Sequence, residues 1–169
     1  MIRLAQVDDI DSLPGIERAA DAVFRSMSMD AVVEGETMSI PDLFRYQDAG
    51  RAWVDVDELD RPVAYLLLDV AGGAAHIEQV SVHPSHAGQG KGRRLIEKAA
   101  EWAALQGYLV LTLTTFADVP WNAPYYAHLG FEIIPPDQLT PGLEEIRHPE
   151  ASIGLDAWPR VAMKRILSE

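Results

Sequence analysis

The residues whose types and spacing could do chemistry cluster in mid-chain, in Val80-Ser81-Val82-His83-Pro84 and the following Gly88-Gln89-Gly90-Lys91-Gly92-Arg93-Arg94. The first run reads as a strand end and a tight turn. The second reads as a glycine-rich loop that opens a helix. Glycine has no Cβ, so the backbone there can approach a ligand closely. The first amides of a helix have no partner within it, and the positive end of the helix dipole lies beside them. A loop of this kind binds phosphate, and Arg93 and Arg94 add positive charge to it. The expected ligand is a phosphorylated small molecule.

Glycine loops serve several kinds of phosphate. A P-loop needs Ser or Thr after its Gly-Lys to hold magnesium. Here Lys91 is followed by Gly92. A dinucleotide fingerprint follows the first strand of a βαβ unit, with an acid about 20 residues on. This loop lies mid-chain, and that position falls in Leu109-Val110-Leu111-Thr112. Neither reading holds. Taken with Tyr126-Ala127-His128-Leu129-Gly130-Phe131, the two runs resemble the GNAT family of N-acetyltransferases. That family has Gln/Arg-x-x-Gly-x-Gly/Ala after a strand ending in Val-x-Pro, and a later Tyr-x-x-Leu-Gly-Phe. The resemblance is strong over residues 75–134 and compatible over 1–70. One position departs from it: Ala87 stands where the family has Gln or Arg, so Gln89, Arg93 or Arg94 must supply that side chain's contact.

The resemblance implies an acetyl-CoA-dependent N-acetyltransferase that acetylates a primary amine by direct attack in a ternary complex. In the family's fold the fourth and fifth strands splay apart and the pantetheine enters the gap. Val80, Ser81 and Val82 would bond to it in strand fashion. Gly88, Gln89, Gly90, Lys91, Gly92 and Arg93 would hold the pyrophosphate, and Asn122 would contact the cofactor or cap a helix. No metal is implied. The absence of cysteine, and of a Ser-His-Asp arrangement, speaks against a covalent acyl-enzyme.

Amine acetylation has three needs. The amine must lose a proton, since its unperturbed pKa is about 10.4. The thioester carbonyl must be polarised, and the departing thiolate must be protonated. Glu78 is the expected base: it lies inside a strand on the face of Val80 and Val82, where apolar neighbours would raise its pKa. His83 is the alternative base, or it shapes the turn before Pro84. The Val82 amide is the expected donor to the carbonyl. Tyr126 matches the family's general acid, and Tyr125 is its rival on another side of the helix. His76, His86, His128 and His148 show no metal-ligand spacing. Trp121 could floor an acceptor pocket or pack in the core. Met27, Met29 and Met38 lie where the family places an acceptor-side flap.

These groups need a scaffold. Helical spacing follows Asp8-Asp9-Ile10, with Pro14-Gly15 splitting its start, and a second helix opens at Pro41 and ends at Gly50. Strands are expected at residues 1–6, 52–56, 63–70, 75–82, 109–114, 131–134 and 160–167. Helices are expected behind the glycine loop to about Gln106, over Asn122 to Leu129, and near Leu143 to Arg147. The order predicts an α/β (α+β) fold with a mixed, mostly antiparallel sheet of six to seven strands flanked by helices. At 169 residues it is expected to form one domain, with a Pro-rich, acidic insert over residues 135–159. No signal-peptide pattern or membrane-length apolar run is present, and the lack of cysteine fits a reducing cytoplasm. The net charge of −12 disfavours nucleic acid and anionic membranes and suits a cationic substrate. A small-molecule amine is the expected acceptor. A protein N-terminus or lysine, and a non-catalytic acyl-CoA-binding domain, are the alternatives. Either a monomer or a homodimer is expected.

Overall fold

Helix and strand signals alternate along the chain as the residue patterns require. In the computed structural model, which describes residues 1–22, 38–71, 74–116, 122–141, 143 and 160–167, the elements run as follows. Strand β1 (Ile2–Leu4) leads into a 3-10 turn (Val7–Ser12) and helix α1 (Leu13–Asp21), so Pro14 does split the helix start. Helix α2 (Ile40–Asp48), β2 (Ala52–Val56), β3 (Pro62–Ala71) and β4 (Ala74–Val82) follow. After the glycine loop come α3 (Lys91–Leu105), β5 (Val110–Phe116), α4 (Ala123–His128), β6 (Glu132–Ile134) and β7 (Arg160–Ile166). The seven strands hydrogen-bond in the order β1-β2-β3-β4-β5-β7-β6. The β4–β5 pair is parallel, at Ala75↔Leu111 and His76↔Thr112. The pairs β1–β2, β2–β3, β5–β7 and β6–β7 are antiparallel. The mixed, mostly antiparallel sheet expected from the sequence is therefore present. Residues 144–147 of the helix expected near Leu143, the Gly72-Gly73 turn, Trp121, Met27 and Met29 lie outside the described residues.

Contacts group the chain into two compact units, Met1–Leu68 with Glu78–Ala99, and Asp69–Ile77 with Ala100–Glu169. In the first, Ile10, Leu13 and Ile16 pack with Leu43 of α2 against Ala52, Val54 and Val56 of β2 and Tyr65 and Leu67 of β3. Full burial of one such aliphatic side chain contributes roughly 1.5–3 kcal/mol. A local lock holds β1 to the turn after it. Arg3 donates to both oxygens of buried Asp9 at 2.7 and 3.1 Å, and the Gln6 amide donates to Asp9 at 2.7 Å. Burial pushes the Asp9 carboxyl up, but Arg3 and the Gln6 amide outweigh it and hold the group below the usual carboxylate range.

In the second unit β7 runs between β5 and β6, with Leu113 and Ile133 both opposite Met163. Ile134, Leu143 and Ala162 form its buried cluster. His76 is buried there and shares a 2.8 Å hydrogen bond with Thr112.

Candidate active site

The glycine loop adopts the backbone its sequence allows. Gly88 and Gly90 have φ of 77° and 73°, a region that costs other L-residues about 1–2 kcal/mol. The Arg94 amide donates to the Gly90 carbonyl at 3.1 Å, so α3 starts immediately after Gly90. The amides of Lys91, Gly92 and Arg93 are therefore the helix's partnerless donors. A Cβ at Gly88 would meet open space, and one at Gly90 would lie 3.5 Å from Nη1 of Arg94. The Arg94 guanidinium thus folds back over the loop. Gln89, Arg93 and Arg94 are exposed, and Ala87, exposed as well, ends the short turn Pro84–His86. Bare backbone, converging amides and two exposed guanidinium groups suit the pyrophosphate of a coenzyme A ester.

Lys91 departs from its neighbours. Its ammonium points inward, 3.5 Å from Oδ2 of Asp55 on β2, with a side chain only 12% exposed. Nothing in the sequence marks Asp55, because an acid in the short alternating run Ala52–Val56 shows no sign of its partner. Burial pushes the Asp55 carboxyl up, but the hydrogen bond from the Met1 amine and the charge of Lys91 bring it below its ordinary range.

Strand β4 presents two different faces. Only two residues separate it from β3, too few for a crossover, so the two strands are antiparallel. The His83 amide donates to the Val63 carbonyl at 2.9 Å. Amides alternate in direction along a strand, so Val82 aims its N–H at the edge of β4 turned away from β3. That orientation is the one a donor to an incoming carbonyl needs. The same register sets Ser81 opposite Tyr65 and Gln79 opposite Leu67, on the face covered by α1 and α2. Glu78, Val80 and Val82 lie on the other face. Val80 and Val82 are half-buried, but Glu78 is exposed. The expectation of a carboxyl sunk among apolar neighbours is corrected here: sharing a strand face with two half-buried valines does not by itself bury a side chain. His83 is held in the turn, its Nδ1 accepting from the Ser85 amide at 3.1 Å and lying 2.8 Å from the Ser85 hydroxyl.

On the α1 face the structure assembles groups that the sequence did not announce. Gln79 Nε2 donates to the Ser81 hydroxyl at 2.7 Å, and Tyr65 also hydrogen-bonds with Ser81. Burial, then the negative charge of Glu17, push the Tyr65 phenol up. Glu17 and Asp21 are both half-buried on successive turns of α1. Burial raises Glu17, opposed by the Met38 amide and by Arg18. Burial and the like charge of Glu17 push Asp21 up to about 7. Their i,i+4 spacing was legible, but nothing in the sequence said that this side of α1 would face Tyr65.

In the second unit α4 carries the two tyrosines. The Tyr126 amide donates to the Asn122 carbonyl, and the Tyr126 carbonyl accepts from Leu129 and Phe131, which fixes its register at the helix end. Its ring packs edge-on against Tyr125 at 5.4 Å and Phe131 at 6.0 Å between centroids. Burial, with Tyr125 beside it, pushes the Tyr126 phenol up, so it stays protonated throughout the neutral range. Asn122 does not cap α4 with its side chain. Its Oδ1 instead accepts from the Thr115 hydroxyl of β5, a partner only the fold could supply.

Residues 20–131 match the acetyltransferase (GNAT) family. The chain belongs to that family and is an N-acetyltransferase, an enzyme class that uses acetyl-CoA as acyl donor. The fold is similar to that of Rv2747 from Mycobacterium tuberculosis, solved with CoA and NLQ (TM-score 0.75, 16% identity, 99% of each chain). N-acetylglutamate synthase from Neisseria gonorrhoeae, complexed with coenzyme A and N-acetyl-glutamate, superposes with a TM-score of 0.73 at 17% identity, over 100% of this chain and 35% of that one. The ribosomal-protein-S18-alanine N-acetyltransferase from Escherichia coli gives 0.67 at 17% identity, over 100% and 94%. Among the described residues no helix is long and apolar enough to cross a membrane, and no group of His, Asp or Glu could hold a metal ion.

Proposed function

We propose that the acceptor is a small molecule whose amine is cationic in solution. The observation that carries this reading is the half-buried Glu17–Asp21 pair of α1, whose charges act on the buried Tyr65. The charge of Glu17 disfavours ionisation of Asp21, and a cation beside them relieves that repulsion. The net charge of −12 draws the same kind of substrate.

Acetyl-CoA supplies the activated acetyl thioester. The amides of Lys91, Gly92 and Arg93, with the Arg93 and Arg94 side chains, hold its pyrophosphate, and Val80 to Val82 bond to its pantetheine arm. The Val82 amide, on the side of β4 turned away from β3, donates to the carbonyl oxygen as that oxygen gains charge. Glu78 is exposed on the face of β4 opposite the acid pair, so as base it reaches the proton of the reacting amine only through water. Tyr126 keeps the general-acid role that the family resemblance implies, giving its proton to the CoA thiolate as the C–S bond breaks.

Free-thiol release from acetyl-CoA tests the reading with three acceptors: a small diamine, a lysine-bearing peptide and a peptide with a free N-terminus. Highest kcat/KM with the diamine is expected. Release with peptides alone would overturn the small-molecule assignment, and CoA binding without release for any amine would make the chain a binding domain.

A further inference from the structure

We propose that Asp55 is a positioning residue for acetyl transfer, which through Lys91 holds the glycine loop and the first turn of α3 in their phosphate-binding geometry. The inference rests on acetyl-CoA binding at that loop and adds a residue from a different strand to it. The Asp55 side chain is 2% exposed and lies inside β2. A buried carboxylate must be paired, and it takes two cations: the Met1 amine at 2.8 Å on Oδ1 and the Lys91 ammonium at 3.5 Å on Oδ2. Lys91 is the first residue of α3 and follows directly on Gly90, whose carbonyl accepts the first bond of the helix. Its side chain is a strut running from the loop to the sheet.

The strut has a consequence for binding. Gly88 and Gly90 give the loop freedom, which a bound pyrophosphate must remove. A charge pair that fixes the residue between Gly90 and Gly92 removes part of that freedom beforehand, and preorganisation of this kind appears as affinity. The pair also turns the Lys91 charge away from the loop surface, so the backbone amides and the two arginines face the phosphates while Lys91 works from beneath.

Two accounts of Lys91 predict opposite results. If Lys91 touched phosphate directly, Asp55 would compete for it, and Asp55→Asn would strengthen binding. If Asp55 positions the loop, Asp55→Asn weakens it. The expected result is a KM for acetyl-CoA raised about fivefold, with kcat within about twofold and the amine KM unchanged. Lys91→Met should give the same split, and Lys91→Arg should largely rescue it. The double variant should be no worse than either single one, because both remove one strut. A KM that falls or stays constant in folded Asp55→Asn, or single-variant effects that multiply in the double variant, would overturn the proposal. If Asp55→Asn does not fold, Lys91→Met decides: the salt dependence of its CoA affinity should match that of the wild type, and a shallower dependence would mean a direct phosphate contact. Wild-type protein that binds no CoA would overturn the acetyl-transfer reading and this inference with it. Wild-type binding with an unaffected Asp55→Asn overturns the inference alone.

Discussion

Replacing Asp21 with Asn keeps the shape of α1 and removes a charge that its surroundings oppose. Burial and Glu17 raise the carboxyl from 3.8 to about 7. A raised carboxyl favours its protonated form in the fold. Its stabilising contribution is complete below the unfolded pKa and is lost as pH rises through about 7. Full burial would make that loss about 4 kcal/mol, at about 1.36 kcal/mol per pH unit. The side chain is only half-buried, so solvent screening brings it to about 2 kcal/mol. Asp21→Asn should therefore raise the melting temperature by about 4–8 °C at pH 8. At pH 5, where the wild-type group is still mostly protonated in the fold, the gain should be less than half as large. The same variant should raise the KM for a small diamine about tenfold, the loss of one hydrogen bond to a charged group, with the acetyl-CoA KM unchanged. Thermal melts at the two pH values and steady-state kinetics check this. Equal melting shifts at pH 5 and pH 8 would refute the burial argument. An unchanged amine KM would remove the acid pair from the acceptor site.

Glu78→Gln should lower kcat by at least about tenfold, since a general base contributes about 10²- to 10⁴-fold, and a loss under about threefold would take Glu78 out of that role. Tyr126→Phe should lower kcat and kcat/KM together while melting like the wild type, with Tyr125→Phe nearly silent; the reverse pattern would show that the helix register has been misread. Gly90→Ala places a side chain at φ 73° beside the Arg94 guanidinium, and calorimetry should show CoA affinity about tenfold weaker. Unchanged affinity in the folded variant would mean that the loop does not hold CoA.

Local chemistry made much of this protein legible in its sequence. The backbone at Gly88 and Gly90, the split at Pro14 and the stop at Gly107 each depend on a few adjacent residues, and those residues are enough to set φ and ψ. The motifs at residues 80–94 and 126–131 are likewise short and contiguous, so the family could be read before the fold was known. Tertiary structure decided which groups meet. Asp55 finds Lys91, Glu17 and Asp21 come to face Tyr65, and Asn122 turns to Thr115 in place of its own helix. It also decided that Glu78 is exposed, because burial depends on what packs over a strand face as well as on the residues within it. Dihedral preferences act over a few residues. Pairing partners and burial arise only when distant segments are brought together, and no local pattern specifies which segment will arrive.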